Sequence, residues 1–191
     1  MFGIHERGKE IPKLTRDLSK RLIYCVLYGG GAKKTGSIIA PKESEHKQYE
    51  KGKQTIDTFY QNLPAIKKLK DQVESTLSKR DYLVGIDGRH LQIRSKHSAL
   101  NQLLQSTGAI TVKKATTILY DDMTDKGLKF FKDWGFVAHV HDEYQCLLRP
   151  EYTDLFQELA IDSFRKSGEY FKLKCPLTGE AKIGKNWCET H

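Results

Sequence analysis

Paired cysteines, long apolar runs, internal repeats and low-complexity tracts are all missing from this sequence, and each absence excludes something. No run of about 18 apolar residues occurs, which rules out a transmembrane helix and predicts a protein with no membrane partner. The opening MFGIHERGKE is charged and has no apolar stretch, so it does not read as a signal peptide. The four cysteines, Cys25, Cys146, Cys175 and Cys188, lie far apart and form no CxxC pair. That spacing argues against a disulfide framework or zinc knuckle and for a reducing, cytoplasmic location. Apolar residues reach only 38% over 191 positions, enough for one domain or one lobe with a lean core.

Positive charge is what the sequence does have, and it is unevenly placed. Residues 1–80 carry 17 Lys/Arg against 9 Asp/Glu, whereas residues 81–191 carry 15 of each. All of the net +8 therefore sits in the first part of the chain. A basic lobe beside a neutral one points to a polyanion on one side, nucleic acid or nucleotide, against the plainer reading of a solvated surface.

Periodicity predicts helices over 13–28, 32–39, 43–61 and 65–79, the first stopped by Gly29, Gly30 and Gly31. Tyr82-Leu83-Val84, Asp87-Gly88 and His90-Leu91-Gln92-Ile93 read as a hairpin. A long helix is expected over 97–131. A second hairpin follows, with strands 136–140 and 144–148 around a His141-Asp142 turn, and then an amphipathic helix over 152–167. The order is α+β rather than alternating βαβ.

Two constellations carry chemistry. Arg16, Lys20, Tyr24 and Tyr28 recur every four residues and share one helix face. Two cations one turn apart can hold a triphosphate, and two aromatics further along offer rings to a sugar or base. The second constellation is His141-Asp142-Glu143 at a hairpin tip, where carboxylates held by apolar strands can bind Mg²⁺ through oxygen. Adjacent strand residues face opposite ways, so one carboxylate is expected as the ligand and the other as a helper. The competing readings are an ordinary amphipathic helix and a polar turn. His139-x-His141-Asp142 also hints at a zinc hydrolase, but no later histidine cluster completes such a site. Gly29 to Thr35 is not a P-loop, because Lys33 stands where glycine is needed and a helix precedes it. Asn101 and Gln105, one turn apart, and Arg89 and Arg94, flanking the first hairpin, are weaker candidates for contacts to bases or phosphates.

Taken in order, these motifs resemble family A DNA polymerases, the DNA polymerase I family. Arg16-x3-Lys20-x3-Tyr24-x3-Tyr28-Gly29 resembles motif B, the fingers helix, and His141-Asp142-Glu143 resembles motif C. Gly85-Ile86-Asp87-Gly88-Arg89, Arg94-Ser95 and Asn101-x3-Gln105-Ser106 resemble the segment between them. The ending Gly184-Lys185-Asn186-Trp187 to His191 is similar to the replicative polymerases of short-tailed phages. The resemblance implies an incomplete right-hand polymerase fold. Residues 1–96 would be fingers, and 97–191 the C-terminal half of an antiparallel palm sheet with its helices. It implies that Arg16 and Lys20 bind the triphosphate and that Tyr24 stacks on the deoxyribose. Tyr28, with Gly29, would position the template. It also implies that Asp142 ligates Mg²⁺ beside Glu143, that His141 lies near the primer end, and that Arg89, Asn101 and Gln105 contact primer–template. His5 would match a phosphate-binding histidine that precedes motif B.

The family's reaction uses two metal ions and carboxylates from two motifs. The first of these, motif A, belongs upstream of motif B, and no carboxylate here replaces it: Asp87 sits in an Asp-Gly turn, and Asp121 and Asp122 on a helix. The exonuclease domain, the thumb and the first palm strand are missing too. The resemblance therefore implies template-directed addition of dNTPs to a primer 3′-OH, in partnership with a separate N-terminal chain that carries motif A. The 191 residues alone are expected to be inactive. Met1 just before motif B is read as favouring a separately translated chain. The alternatives are a non-catalytic DNA- or nucleotide-binding remnant of a prophage polymerase, or a piece of a longer chain.

Overall fold

The computed structural model describes residues 15–190. Within them the chain forms two compact units. One comprises residues up to Leu83 together with Leu91–Leu103, and the other Val84–His90 with Leu104–His191. No helix of the described residues is long and apolar enough to cross a membrane.

The first unit begins with α1, Arg16–Leu27, whose first turn is capped by the Thr15 hydroxyl accepting from the Leu18 N–H at 3.3 Å. Leu22, Cys25 and Val26 are its buried face. Helices α2 (Ala32–Ile39) and α3 (Glu45–Asn62) follow, and they cross where each has a glycine, Gly36 and Gly52. Cys25 and Thr35, Sγ to Oγ1 at 3.8 Å, join α1 to α2. Pro64 opens α4, Pro64–Leu77, as proline at a first helical position does. Val73 and Leu77 of α4 pack with Leu83, Ala99 and Leu100 into this unit's apolar cluster. Strands β1 (Tyr82–Val84) and β2 (His90–Gln92) pair as a small hairpin.

Helix α5 spans Ala99–Asp125, and in the second unit its Leu119 and Met123 form a core with Leu128, Trp134, Phe156 and Ala160. The helix ends sooner than the 97–131 periodicity suggests. A 3₁₀ turn, Lys96–Ser98, precedes it, and Gly127, in the left-handed region at φ +81°, stops it. The Gly127 N–H then donates to Thr124 O and the Leu128 N–H to Met123 O, so Leu128 re-enters the core from a helix cap.

Antiparallel strands β3 (Trp134–Val140) and β4 (Glu143–Leu148) form the second hairpin, with His139 opposite Tyr144 and Val140 opposite Glu143. An extra residue interrupts the register between Phe136 and Ala138. Helix α6 (Thr153–Tyr170) packs its small residues Ala160, Ser163 and Ser167 inward. The Ser167 hydroxyl donates to Thr111 O at 2.7 Å, and Lys166 Nζ donates to both Asp122 oxygens, at 3.0 and 2.8 Å, fastening α6 to α5. The Asp122 bond is the chief reason the Lys166 ammonium is held above its usual range, and the Arg165 bond is the chief reason the Asp162 carboxyl is held below its own. The tail returns along α6, with Leu177 against Gly168 and Gly179 against Phe164, and ends in a one-turn helix, α7 (Trp187–Thr190).

Packing here predicts thiol reactivity. Cys25 is buried, and burial pushes the Cys146 thiol up to about 12, whereas Cys175 and Cys188 are exposed. A raised thiol pKa withholds the reactive thiolate. At pH 8 the native protein is expected to release chromophore from Ellman's reagent in two classes. Two thiols react fast, and two react only after denaturant is added.

Candidate functional site

Helix α1 presents its four-residue series as a single exposed row. Arg16, Lys20, Tyr24 and Tyr28 are all solvent-facing, while Leu22 and Val26 on the other side are buried. The Tyr24 and Tyr28 rings stack, with centroids 5.4 Å apart and planes 21° from parallel. Lys20 Nζ lies 6.0 Å from the Tyr24 ring centre, a distance at which a cation is attracted to the π face. The row is thus a cation running into a two-ring platform, held rigid because the opposite face is packed.

Gly29 ends this row for two reasons. Its φ is +81°, and a Cβ there would collide with the carbonyl oxygen of His97. Both conditions demand glycine. Gly29→Ala is expected to displace either the end of α1 or the Arg94–Ser98 approach to α5. A loss of about 2 kcal/mol, read from urea unfolding, is the expected size.

The second hairpin holds the acidic pair. His141 and Asp142 form its two-residue turn, with His141 at φ +52°, the positive φ that tight hairpin turns require. Asp142 is exposed at the tip, and Glu143 is half-buried as the first residue of β4. Tyr144, the next residue, points to the opposite, core-facing side. There it stacks parallel to Phe164 at 5.9 Å, and its hydroxyl lies 3.5 Å from Ser163 Oγ. Burial raises the Tyr144 phenol to about 12. Tyr144 is therefore an anchor that fixes which way its neighbour Glu143 faces. Gln145, two residues on and on the same side as Glu143, donates from Nε2 to Glu143 Oε1 at 3.3 Å. Gln145 is not among the candidates that motif spacing supplies, although the i, i+2 relation in a strand is the signal that would find it.

The remaining candidates are dispersed. Arg89 follows the Gly85–Gly88 turn, and its Nε donates to Asp87 Oδ2 at 2.6 Å. Asn101 lies in the first turn of α5, and its side-chain oxygen is buried without a hydrogen bond among the described residues. Gln105 is exposed one turn further on. His5 lies outside the described residues. Arg16, Lys20, Tyr24, Tyr28, Gly29 and Asn101 belong to the first unit, and Arg89, Gln105, His141, Asp142 and Glu143 to the second.

The acidic pair fits one kind of cation. Mg²⁺ demands six oxygens, and proteins commonly supply one or two carboxylates while substrate phosphates supply more. Asp142 and Glu143 match that donor set. They do not match an all-protein cage, because no group of three His, Cys, Asp or Glu able to hold a metal occurs among the described residues.

Comparison with known proteins finds relatives in both sequence and fold. The model of DNA polymerase family A matches residues 1–189. The DNA-directed DNA polymerase of Enterobacteria phage T3 is 35% identical, and that of Escherichia phage T7 34%. Each alignment covers 98% of this chain and 28% of the relative, so the chain spans little more than a quarter of those proteins' length. Among solved structures, the POL domain of Pol1 from M. smegmatis, in complex with DNA primer-template and dNTP, is similar in fold. Its TM-score is 0.68 at 18% identity, over 83% of this chain and 29% of that one.

Proposed function

Because the chain belongs to DNA polymerase family A, we propose that residues 1–96 are the fingers and residues 97–191 the C-terminal palm segment of a DNA-directed DNA polymerase. The observation that carries this reading is the exposed row on α1, two cations leading into the stacked Tyr24 and Tyr28 rings. In this reading Arg16 and Lys20 bind the triphosphate of a dNTP, Tyr24 packs on its sugar, and Tyr28 with Gly29 orients the template base. Asp142 would ligate Mg²⁺, with Glu143 beside it as a helper, and that ion would supply neutralisation of charge on the transferring phosphoryl group. His141, Arg89, Asn101 and Gln105 contact primer–template. Arg89 reaches DNA only by leaving or sharing its bond to Asp87. A chain bearing motif A completes the site, in the host cytoplasm. The 191 residues alone bind nucleotide and DNA without extending a primer.

The test is binding. A fluorescent dNTP and a labelled primer–template, followed by anisotropy, are expected to bind the 191-residue chain with affinity that falls steeply with salt. Arg16→Ala and Lys20→Ala each weaken dNTP binding by about tenfold. No binding of either probe at low salt would overturn the reading. A second reading, a DNA- and nucleotide-binding remnant without catalysis, rests on the same exposed α1 row. That reading predicts the same binding but no extension with any complementing chain.

A further inference from the structure

The Gln145 carboxamide has a second partner besides Glu143. Its Oε1 accepts a hydrogen bond from the Thr190 hydroxyl at 3.0 Å, across 45 residues of sequence. Thr190 is the last residue of α7, and that turn is itself locked. The Asn186 side chain accepts from the Glu189 N–H at 3.2 Å, while Glu189 accepts from Asn186 Nδ2 and from the Lys185 N–H, both at 2.8 Å. The three side chains Thr190, Gln145 and Glu143 thus form one line from the end of the tail to the acidic hairpin.

Chemistry fixes the direction of that line. An ionised carboxylate only accepts, so Gln145 must turn its NH₂ toward Glu143. Its oxygen then faces the Thr190 hydroxyl, whose single proton lies between Gln145 Oε1 at 3.0 Å and Trp187 O at 3.1 Å. Flipping the carboxamide would set its oxygen against the carboxylate. We propose that Gln145 and Thr190 are positioning residues for Glu143, and that the tail turn α7 thereby sets the orientation of the hairpin's second carboxylate. The role assigned to that carboxylate rests on the polymerase reading above; the hydrogen-bond line does not.

The test uses the full chain and two NMR readouts. The first is the pair of Gln145 side-chain NH₂ signals. Thr190→Val and Glu143→Gln are each expected to move them and to speed their exchange with water, whereas Thr190→Ser, which keeps the hydroxyl, leaves them in place. Signals unchanged in Thr190→Val would overturn the proposal. The second readout is broadening of the 141–144 backbone amides by Mn²⁺ alone. The Mn²⁺ concentration for half-broadening is expected to rise about fivefold in Thr190→Val and in Gln145→Leu, and to stay put in Thr190→Ser. Moved Gln145 signals with an unmoved Mn²⁺ midpoint would also overturn the positioning role. If Mn²⁺ broadens nothing even in the unaltered chain, the cation part of the polymerase reading fails instead, and the Gln145 signals alone decide whether the line exists.

Discussion

Asp142→Ala is expected to abolish primer extension while leaving the fold intact. The assay mixes the 191-residue chain with a complementary chain that carries motif A, primed template, dNTPs and Mg²⁺, and reads extension on a denaturing gel. Extension appears only in the mixture, and Asp142→Ala lowers its rate by about three orders of magnitude, the effect of losing several kcal/mol of metal-borne stabilisation. The structural reason to expect a clean loss is the place of Asp142. It sits exposed in a two-residue turn, and its side chain makes no hydrogen bond among the described residues. The β3–β4 ladder and the Tyr144–Phe164 stack hold the hairpin without it. Circular dichroism and melting of Asp142→Ala should therefore match the unaltered chain, and dNTP anisotropy should change little, since that binding is assigned to α1. Glu143→Ala is expected to cost less, about tenfold, as a helper rather than the principal ligand. Extension by the isolated chain, or full activity of Asp142→Ala in the mixture, would refute the assignment.

The α1 row and the acidic hairpin are legible because each is written in local spacing. Four-residue recurrence needs only the helical period, and a His-Asp turn between apolar runs needs only the strand period. What escapes depends on tertiary partners. The apolar pattern overruns the end of α5 because Leu128 and Phe130 continue it past Gly127, although they pack from a loop. Helix α7 reads as plain tail, yet Asn186-x-x-Glu189 is a capping signal at that spacing. The Thr190–Gln145 bond is illegible in sequence, since nothing local ties residues 45 apart. Gly36 and Gly52 look like weaknesses in helices when taken alone, and only the crossing of α2 with α3 explains them.

That crossing sets the sign of the second large effect. In an exposed helix interior, Gly→Ala gains up to about 1 kcal/mol from propensity. Gly108, in α5, is such a site: a Cβ added there would meet nothing within 4 Å, and Gly108→Ala is expected to stabilise the protein slightly. Gly52→Ala should do the reverse. A Cβ there would overlap Ala32 O and lie 2.6 Å from Gly36 N and 2.8 Å from the Ala32 carbonyl carbon. These are backbone atoms, so no rotamer change relieves the clash, and the two helices must separate. Overpacking of this kind costs about 1–3 kcal/mol or more, which outweighs the propensity gain. The net loss, about 2 kcal/mol, should lower the melting temperature by roughly 10 °C for a unit of this size. Because Thr35 of α2 seats Cys25 of α1, the separation also loosens the helix that carries Arg16 to Tyr28, and dNTP affinity should fall with it. A Gly52→Ala protein that melts with the unaltered chain would show that α2 and α3 do not approach this closely. Equal destabilisation by Gly108→Ala would show that alanine is harmful for a reason unrelated to the crossing.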